Sequence, residues 1–182
     1  MASLFRLSSL LTLAFLCSCH ANLIHDICVK SAFISPSRCV KTLSSDPLSR
    51  GADLRTLGQI AIKKTIVAIK NTAKVARSLR NHNNTVAVDS CIETCRISIL
   101  ILKEVAKLML KDFEERTKGD LPMKLLTVDF EVDTCEDVFE DGSVKGGRPA
   151  KLKKAGKITN GLMNVVRIIA EKLCEGERES AH

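Results

Sequence analysis

The sequence predicts an all-α protein, an antiparallel up-down-up-down four-helix bundle preceded by an N-terminal disulfide-linked helical hairpin. Three observations lead to this prediction. Apolar residues recur at alternating steps of three and four through four long segments, which is the period of an amphipathic helix. Short connectors rich in Gly, Asn and Asp join these segments, and short connectors favour antiparallel neighbours. Cysteines occur in the N-terminal stretch and near the ends of three long segments.

Residues 1–21 have the anatomy of a secretory signal peptide. An early Arg6 is followed by an apolar run at residues 10–16 and then by small residues up to Ala21, which is the order that such leaders share. The apolar run is too short to span a bilayer, because a membrane helix needs roughly 20 apolar residues. We therefore expect a secreted chain without a membrane span.

Residues 22–51 predict a separate helical hairpin. The prolines Pro36 and Pro47 break the long period, leaving short helical pieces around Cys28 and Cys39. A bridge between these two cysteines would stabilise such a hairpin by about 2–3 kcal/mol, because it restricts the unfolded chain.

The four bundle helices are predicted within residues 52–176, and residues 177–182 form a short tail. Their apolar stripes are Leu57, Ala61, Thr65, Ala68, Thr72, Val75 and Leu79; Val88, Ile92, Cys95, Ile99, Leu102, Ala106, Met109 and Phe113; Leu125, Val128, Val132, Cys135 and Phe139; and Leu152, Ala155, Thr159, Leu162, Val166, Ile169 and Leu173. Gly156 and Gly161 each weaken the fourth helix by up to about 1 kcal/mol relative to alanine. We expect packing to offset that cost.

Cysteine spacing alone leaves the pairing open, but the bundle topology narrows it. Cys91 begins the second helix and Cys135 ends the antiparallel third one, so these two can be bridged. Cys174 ends the fourth helix and should lie on the order of 30 Å from Cys95, too far for a bridge. We expect Cys95 to act as a small core residue and Cys174 to be a free or intermolecular thiol, and the pairing state of both stays open.

The sequence offers little support for catalysis. After the leader, its histidines are His25, His82 and His182, and they fall in separate parts of the chain. The motifs HExxH and GxSxG, and a phosphate-binding glycine loop, are all missing from the sequence. We therefore expect a protein that is not an enzyme and that needs no cofactor.

An acidic stretch at residues 133–141 raises the alternative of a metal site. Asp129, Glu131 and Asp133 match the first, third and fifth positions of a calcium loop, but the sixth position, which needs glycine, is Thr134. The helical stripe also continues through this stretch. The pattern therefore favours a helix over a metal site, and it gives an acid/base pair no nucleophile or histidine partner.

The chain has a formal net charge of +7, and the leader contributes only Arg6 to it. The basic segment 148–157 is interpreted as the solvated face of the fourth helix, with weak attraction to an acidic polysaccharide as the alternative. Nucleic acid is disfavoured by export and by the absence of Trp and Tyr for base stacking.

Asn83 begins the tripeptide Asn83–Asn84–Thr85, an N-glycosylation sequon in a predicted loop.

Three groups of residues resemble the plant invertase and pectin methylesterase inhibitor family. They are Ile24, Cys28, Ser31, Pro36, Cys39 and Leu43 with Asp46–Pro47 and Ala52–Asp53; Ala87, Val88, Asp89, Ser90 and Cys91; and Asp133, Thr134, Cys135, Glu136, Asp137, Val138 and Phe139. The resemblance extends over essentially the whole chain after the leader.

The resemblance implies bridges from Cys28 to Cys39 and from Cys91 to Cys135. It also implies a protein secreted to the plant cell wall that inhibits pectin methylesterase through a one-to-one complex covering the substrate cleft. Asp133 is implied to face that target, together with its neighbour Thr134.

Two alternatives stay open. The first is an inhibitor of acid invertase with the same fold, in the cell wall or the vacuole. The second is a basic helical protein that binds the wall without inhibiting an enzyme, through weak attraction to acidic pectin.

Overall fold

The long apolar periods form helices. The computed structural model describes residues 23–112, 114, 121–140 and 149–179, and the predicted leader lies outside them. Regular structure in these residues is helical throughout, as the sequence predicts. In chain order the elements are α1 (23–30), α2 (Pro36–Ser44), a 3₁₀ turn (Pro47–Ser49), α3 (Leu54–Ser78), α4 (Thr85–Met109), α5 (Leu121–Asp137) and α6 (Ala150–Glu179). Helix α6 therefore runs into the stretch predicted as the tail. None of the helices described is long and apolar enough to cross a membrane.

Helices α3 to α6 form the predicted antiparallel four-helix bundle. Helix α3 packs on α4 and α6, and α5 also packs on α4 and α6, so α3 and α5 occupy opposite corners. The contacts across these interfaces are those of antiparallel neighbours, because residues later in one helix meet residues earlier in the other. They are Gln59 with Ala106, Cys91 with Cys135, Glu104 with Lys124, Asp129 with Arg167, Asp133 with Asn160, and Thr72 with Thr159.

The buried face of α4 is rotated from the predicted stripe. Ile92, Ile99 and Ala106 are only partly buried, and Phe113 lies outside the described residues. Val88, Cys95, Leu102 and Met109 of the predicted stripe are buried, and the helix also buries Cys91, Ser98 and Val105. Ser98 is fully buried, and its hydroxyl is satisfied there because it donates to Thr94 O at 2.9 Å. A pattern that counts only apolar residues misses such a serine, since its own helix satisfies it.

The connector of the N-terminal hairpin packs against α6, and α2 packs against α3. Cys28 of α1 is bridged to Cys39 of α2, with 5.5 Å between the Cα atoms. In the connector between these helices, Ser31 Oγ and the N–H of Ala32 both donate to Asn164 Oδ1 of α6, at 3.0 and 3.2 Å. The hairpin is therefore joined to the bundle by polar contacts as well as by buried isoleucines.

The buried carboxylate of Asp46 fixes the turn that leads into the bundle. Its Oδ1 accepts the N–H of Leu48 at 3.2 Å, and its Oδ2 accepts from Lys63 Nζ of α3 at 3.2 Å. These two hydrogen bonds hold the pKa of Asp46 below its ordinary value. Because Pro47 offers no N–H and fixes its own φ, the chain turns here without losing a backbone hydrogen bond.

Candidate functional site

The outward side of α5 carries an exposed apolar row. Met123, Leu126 and Phe130 are exposed at 63%, 61% and 68%, and steps of three and four place them on one side of the helix. The predicted target-facing residues Asp133 and Thr134 continue the row by the same steps. We call these five residues the outer α5 face.

The apolar part of this face was not predicted. The prediction for α5 rested on its buried stripe, which includes Leu125, Val128 and Val132, and the apolar residues between the members of that stripe had no part in it. The signal was present, because Leu126 and Phe130 fall outside that stripe. Large apolar side chains at both buried and outward positions of one helix predict either a fully buried helix or a docking face.

Both predicted target-facing residues have hydrogen bonds within the protein and remain at least partly accessible. Asp133 is exposed, and its Oδ1 accepts from Asn160 Nδ2 of α6 at 3.2 Å. Thr134 is half-buried, and its hydroxyl donates to Phe130 O in the preceding turn at 2.8 Å. The carboxylate and the hydroxyl oxygen each retain lone pairs that can accept further hydrogen bonds.

A disulfide fixes the end of α5 directly behind these residues. Cys135 is bridged to Cys91 of α4, with 4.0 Å between the Cα atoms, and both cysteines are buried. The bridge therefore ties the outer α5 face to a second helix at the end where Asp133 and Thr134 lie. A docking surface held in this way loses little conformational freedom when it binds.

A third sulfur atom lies beside the bridge. The Sγ atoms of Cys91, Cys95 and Cys135 are all within 4.8 Å of one another. Burial raises the pKa of the Cys95 thiol to about 12, so it stays protonated at neutral pH. Because the other two sulfurs are joined to each other, this cluster offers a metal ion one protonated thiol, which is a poor ligand set.

A groove between α5 and α6 borders the outer α5 face. It has a volume of about 300 Å³ and is lined mainly by apolar side chains, among them Leu121, Leu125 and Leu126. Asp129 of α5 and Arg167 of α6 also line this groove, and Arg167 Nη2 donates to Asp129 Oδ2 at 2.7 Å. Burial raises the pKa of Asp129, while Arg167 opposes that change.

The remaining predicted site residues lie elsewhere. The Cys28–Cys39 bridge belongs to the hairpin on α6. Asn83 is exposed in the α3–α4 connector, and its N–H donates to Asn81 Oδ1 at 2.9 Å. The next residue, Asn84, is buried and donates to Leu79 O at 2.9 Å. The sequon asparagine is thus presented outward by a connector that its neighbours fix in place.

Comparisons with known proteins place the chain in a family. The model of the family described as plant invertase/pectin methylesterase inhibitor matches residues 22–170. A pectinesterase inhibitor from Actinidia deliciosa is 29% identical over 155 residues, which cover 84% of this chain and 80% of that protein.

Solved structures agree with the fold. The crystal structure of mutant form A of a pectin methylesterase inhibitor from Arabidopsis has a TM-score of 0.57 at 22% identity, covering 80% of this chain and 93% of its own. A second crystal structure, of a pectin methylesterase inhibitor from Arabidopsis thaliana, has a TM-score of 0.54 at 22% identity, with coverages of 84% and 96%. On the match of residues 22–170, the chain belongs to the plant invertase/pectin methylesterase inhibitor family.

Proposed function

We propose that this protein inhibits pectin methylesterase by forming a one-to-one complex in which the outer α5 face covers the enzyme's substrate cleft. Membership of an inhibitor family and the Actinidia deliciosa relative support the choice of target. The observation that carries the proposal is the exposed apolar row Met123, Leu126 and Phe130, next to Asp133 and Thr134.

The chemistry of this face suits a protein partner. Exposed apolar residues scattered singly need no explanation, but a continuous row on one helix indicates an interaction surface. Phe130 offers the kind of large aromatic anchor that dominates binding energy in protein complexes. Asp133 and Thr134 add polar contacts at the edge, where they fix the orientation of the partner rather than the strength of binding.

Truncating the apolar row tests this proposal. Phe130→Ala and Leu126→Ala should each raise the inhibition constant for pectin methylesterase by about tenfold, which corresponds to roughly 1.4 kcal/mol of binding free energy. The matched control is Leu48→Ala, because Leu48 is 68% exposed on the 3₁₀ turn and outside the outer α5 face. The proposal fails if the unmodified protein leaves the enzyme fully active, or if all three variants weaken inhibition equally.

The two polar residues call for a separate pair of variants. Asp133→Ala and Thr134→Ala should weaken inhibition while far-UV circular dichroism keeps its helical signal. Asp133→Asn keeps an acceptor for Asn160 but removes the charge, so it shows whether the charge itself matters. A loss of helical signal in the alanine variants would assign the two residues to folding and contradict a role in docking.

Acid invertase is the second candidate target, and the family's own description includes it. The same outer α5 face would then cover the active site of an invertase in the cell wall or the vacuole. Assays of both enzymes with the same preparation decide between the targets. Inhibition of invertase alone would replace pectin methylesterase in this proposal.

We also propose that the protein is secreted and carries an N-glycan on Asn83. The predicted leader supports export, and the exposed position of Asn83 supports access for the glycosylation machinery. Treatment of the secreted protein with an N-glycosidase should raise its electrophoretic mobility, and Asn83→Gln should abolish that shift. A mobility unaffected by the glycosidase would refute this modification.

A further inference from the structure

A groove between α3 and α4 is edged by lysines. Lys63 and Lys70 of α3 stand on one side, and Lys103 and Lys107 of α4 stand on the other. The groove has a volume of about 530 Å³, and the four lysines are exposed. Its apolar floor includes the buried Ile62 and the half-buried Ile66, and Val67 beside them is 61% exposed. We call these four side chains and this floor the lysine groove.

The positive charge of the groove is poorly neutralised. Helix α3 contains six basic residues and no Asp or Glu between Leu54 and Ser78. Lys63 forms an ion pair with Asp46. Among the described residues, no carboxylate lies within ion-pair distance of Lys70, Lys103 or Lys107.

The acidic residues of α4 point to other partners. Glu93 pairs with Arg96 on its own helix, and Glu104 pairs with Lys124 of α5. Lys124, and to a smaller extent Lys107 of the groove, lower the pKa of Glu104, so the carboxylates near the groove offset its charge only in part. A row of cations with such partial compensation attracts an anion over about one Debye length, roughly 8–10 Å in physiological salt.

From this charge and shape we infer that the lysine groove binds a linear polyuronate, the acidic polysaccharide whose sugars each carry one carboxylate. Two lysines on each of two antiparallel helices place positive charge on both sides of a chain in which negative charge recurs at every sugar. Lys63 and Lys70 lie two helical turns apart, about 10 Å along α3. The apolar floor suits the C–H faces of the sugar rings.

The residue types argue against other anions. Lysine is a flexible point charge, whereas bidentate recognition of a single phosphate group favours the planar fork of arginine. A nucleic-acid groove would carry aromatic side chains for base stacking, and the residues lining this groove include none. An open groove edged by lysines on an aliphatic floor fits an extended carbohydrate polyanion better than either.

The lysine groove does not compete with the outer α5 face. Helices α3 and α5 lie at opposite corners of the bundle, and α4 and α6 separate them. A polyuronate could therefore occupy the groove while α5 contacts an enzyme. Binding of polyuronate is independent of the proposed inhibition, and each can fail without the other.

Binding of polygalacturonate to the purified secreted protein tests the inference, with fully methyl-esterified polygalacturonate as the uncharged probe. The groove variant carries Lys70→Glu, Lys103→Glu and Lys107→Glu. Its matched control carries Lys151→Glu, Lys153→Glu and Lys154→Glu in the exposed basic segment of α6, which is the competing basic surface. The two variants have the same net charge, so they separate a local site from general attraction.

The groove variant should bind polygalacturonate at least about tenfold more weakly than the unmodified protein, and the control should lose much less. The same pattern is expected with glutamine in place of glutamate, which guards against misfolding caused by repulsion. The groove variant should still inhibit pectin methylesterase. The inference is overturned if polygalacturonate does not bind, if the esterified polymer binds equally well, or if both triple variants lose the same affinity.

Discussion

Gly161 of α6 lies against Ile34, where a Cβ at position 161 would fall 2.8 Å from the Cβ of Ile34. The next nearest atoms are the carbonyl oxygen of Phe33 and the backbone nitrogen of Ile34, at 3.3 and 3.4 Å. Such atoms cannot swing aside as the end of a long side chain can. The missing side chain therefore lets the α1–α2 connector approach α6, which offsets the helix stability that glycine costs there.

Gly161→Ala should lower the free energy of unfolding by about 1 kcal/mol, because a steric cost of roughly 1–3 kcal/mol outweighs a helical gain of up to about 1 kcal/mol. Urea denaturation with both disulfides intact measures the change. Ile34→Gly removes the obstructing Cβ, so Gly161→Ala should cost less in that background. An increase in stability in the unmodified background would contradict the close approach.

Asp46 predicts a pH dependence of stability. The Leu48 N–H and the Lys63 side chain lower its folded pKa below 3.8. A carboxyl group whose pKa is lower in the folded chain than in the unfolded chain adds stability at pH values above its unfolded pKa. That stability is lost as the pH falls through its folded pKa. The free energy of unfolding should therefore fall more between about pH 5 and about pH 2 in the unmodified protein than in Asp46→Asn. Asp26→Asn, at an exposed position of α1, is the control and should keep the full decrease.

The sequence predicted the architecture but not all of its surfaces. Helical period and cysteine placement were sufficient for the bundle and its hairpin, because both are set by spacing along the chain. The outer α5 face was only partly predicted, since exposure of Leu126 and Phe130 depends on which side α4 and α6 leave uncovered. No local pattern contains that information.

Glu136 shows the same limit within the acidic stretch. Three carboxylates of this stretch, those of Asp133, Asp137 and Glu140, are exposed, as the polar positions of an amphipathic helix should be. Glu136 is instead buried at 8% exposure. Its side chain fills the space that Gly156 leaves open, where a Cβ would lie 1.5 Å from Oε1. This pair is separated by the α5–α6 connector, so periodicity within one helix could not reveal it.

Cys95 should be inert in the folded protein. At a pKa of about 12, roughly one thiol in ten thousand is ionised at about pH 8, and burial also hides the sulfur from reagent. Iodoacetamide should therefore leave Cys95 unmodified in native Cys174→Ser and alkylate it once urea unfolds the chain. Mass spectrometry of both samples counts the adducts. Rapid modification of the native protein would contradict the burial of this thiol.

Thr72 and Thr159 form a buried polar contact between α3 and α6. Both are buried, their hydroxyl oxygens are 3.1 Å apart, and each can also donate to a carbonyl of its own helix. Thr72→Val should cost about 1 kcal/mol of unfolding free energy, because it removes a partner from the buried hydroxyl of Thr159. Thr159→Val should cost a similar amount.

The double variant Thr72→Val with Thr159→Val should cost less than the sum of the two single changes, since it removes both buried hydroxyls and replaces them with apolar groups of similar shape. Urea denaturation of the four proteins gives the coupling free energy, which we expect to be about 0.5–1 kcal/mol. Thr65→Val is the matched control, because the buried Thr65 hydroxyl donates to Ala61 O at 2.8 Å within its own helix. Combined with Thr159→Val, it should be additive. Additive costs for Thr72 and Thr159 would mean that each hydroxyl is satisfied by its own helix alone.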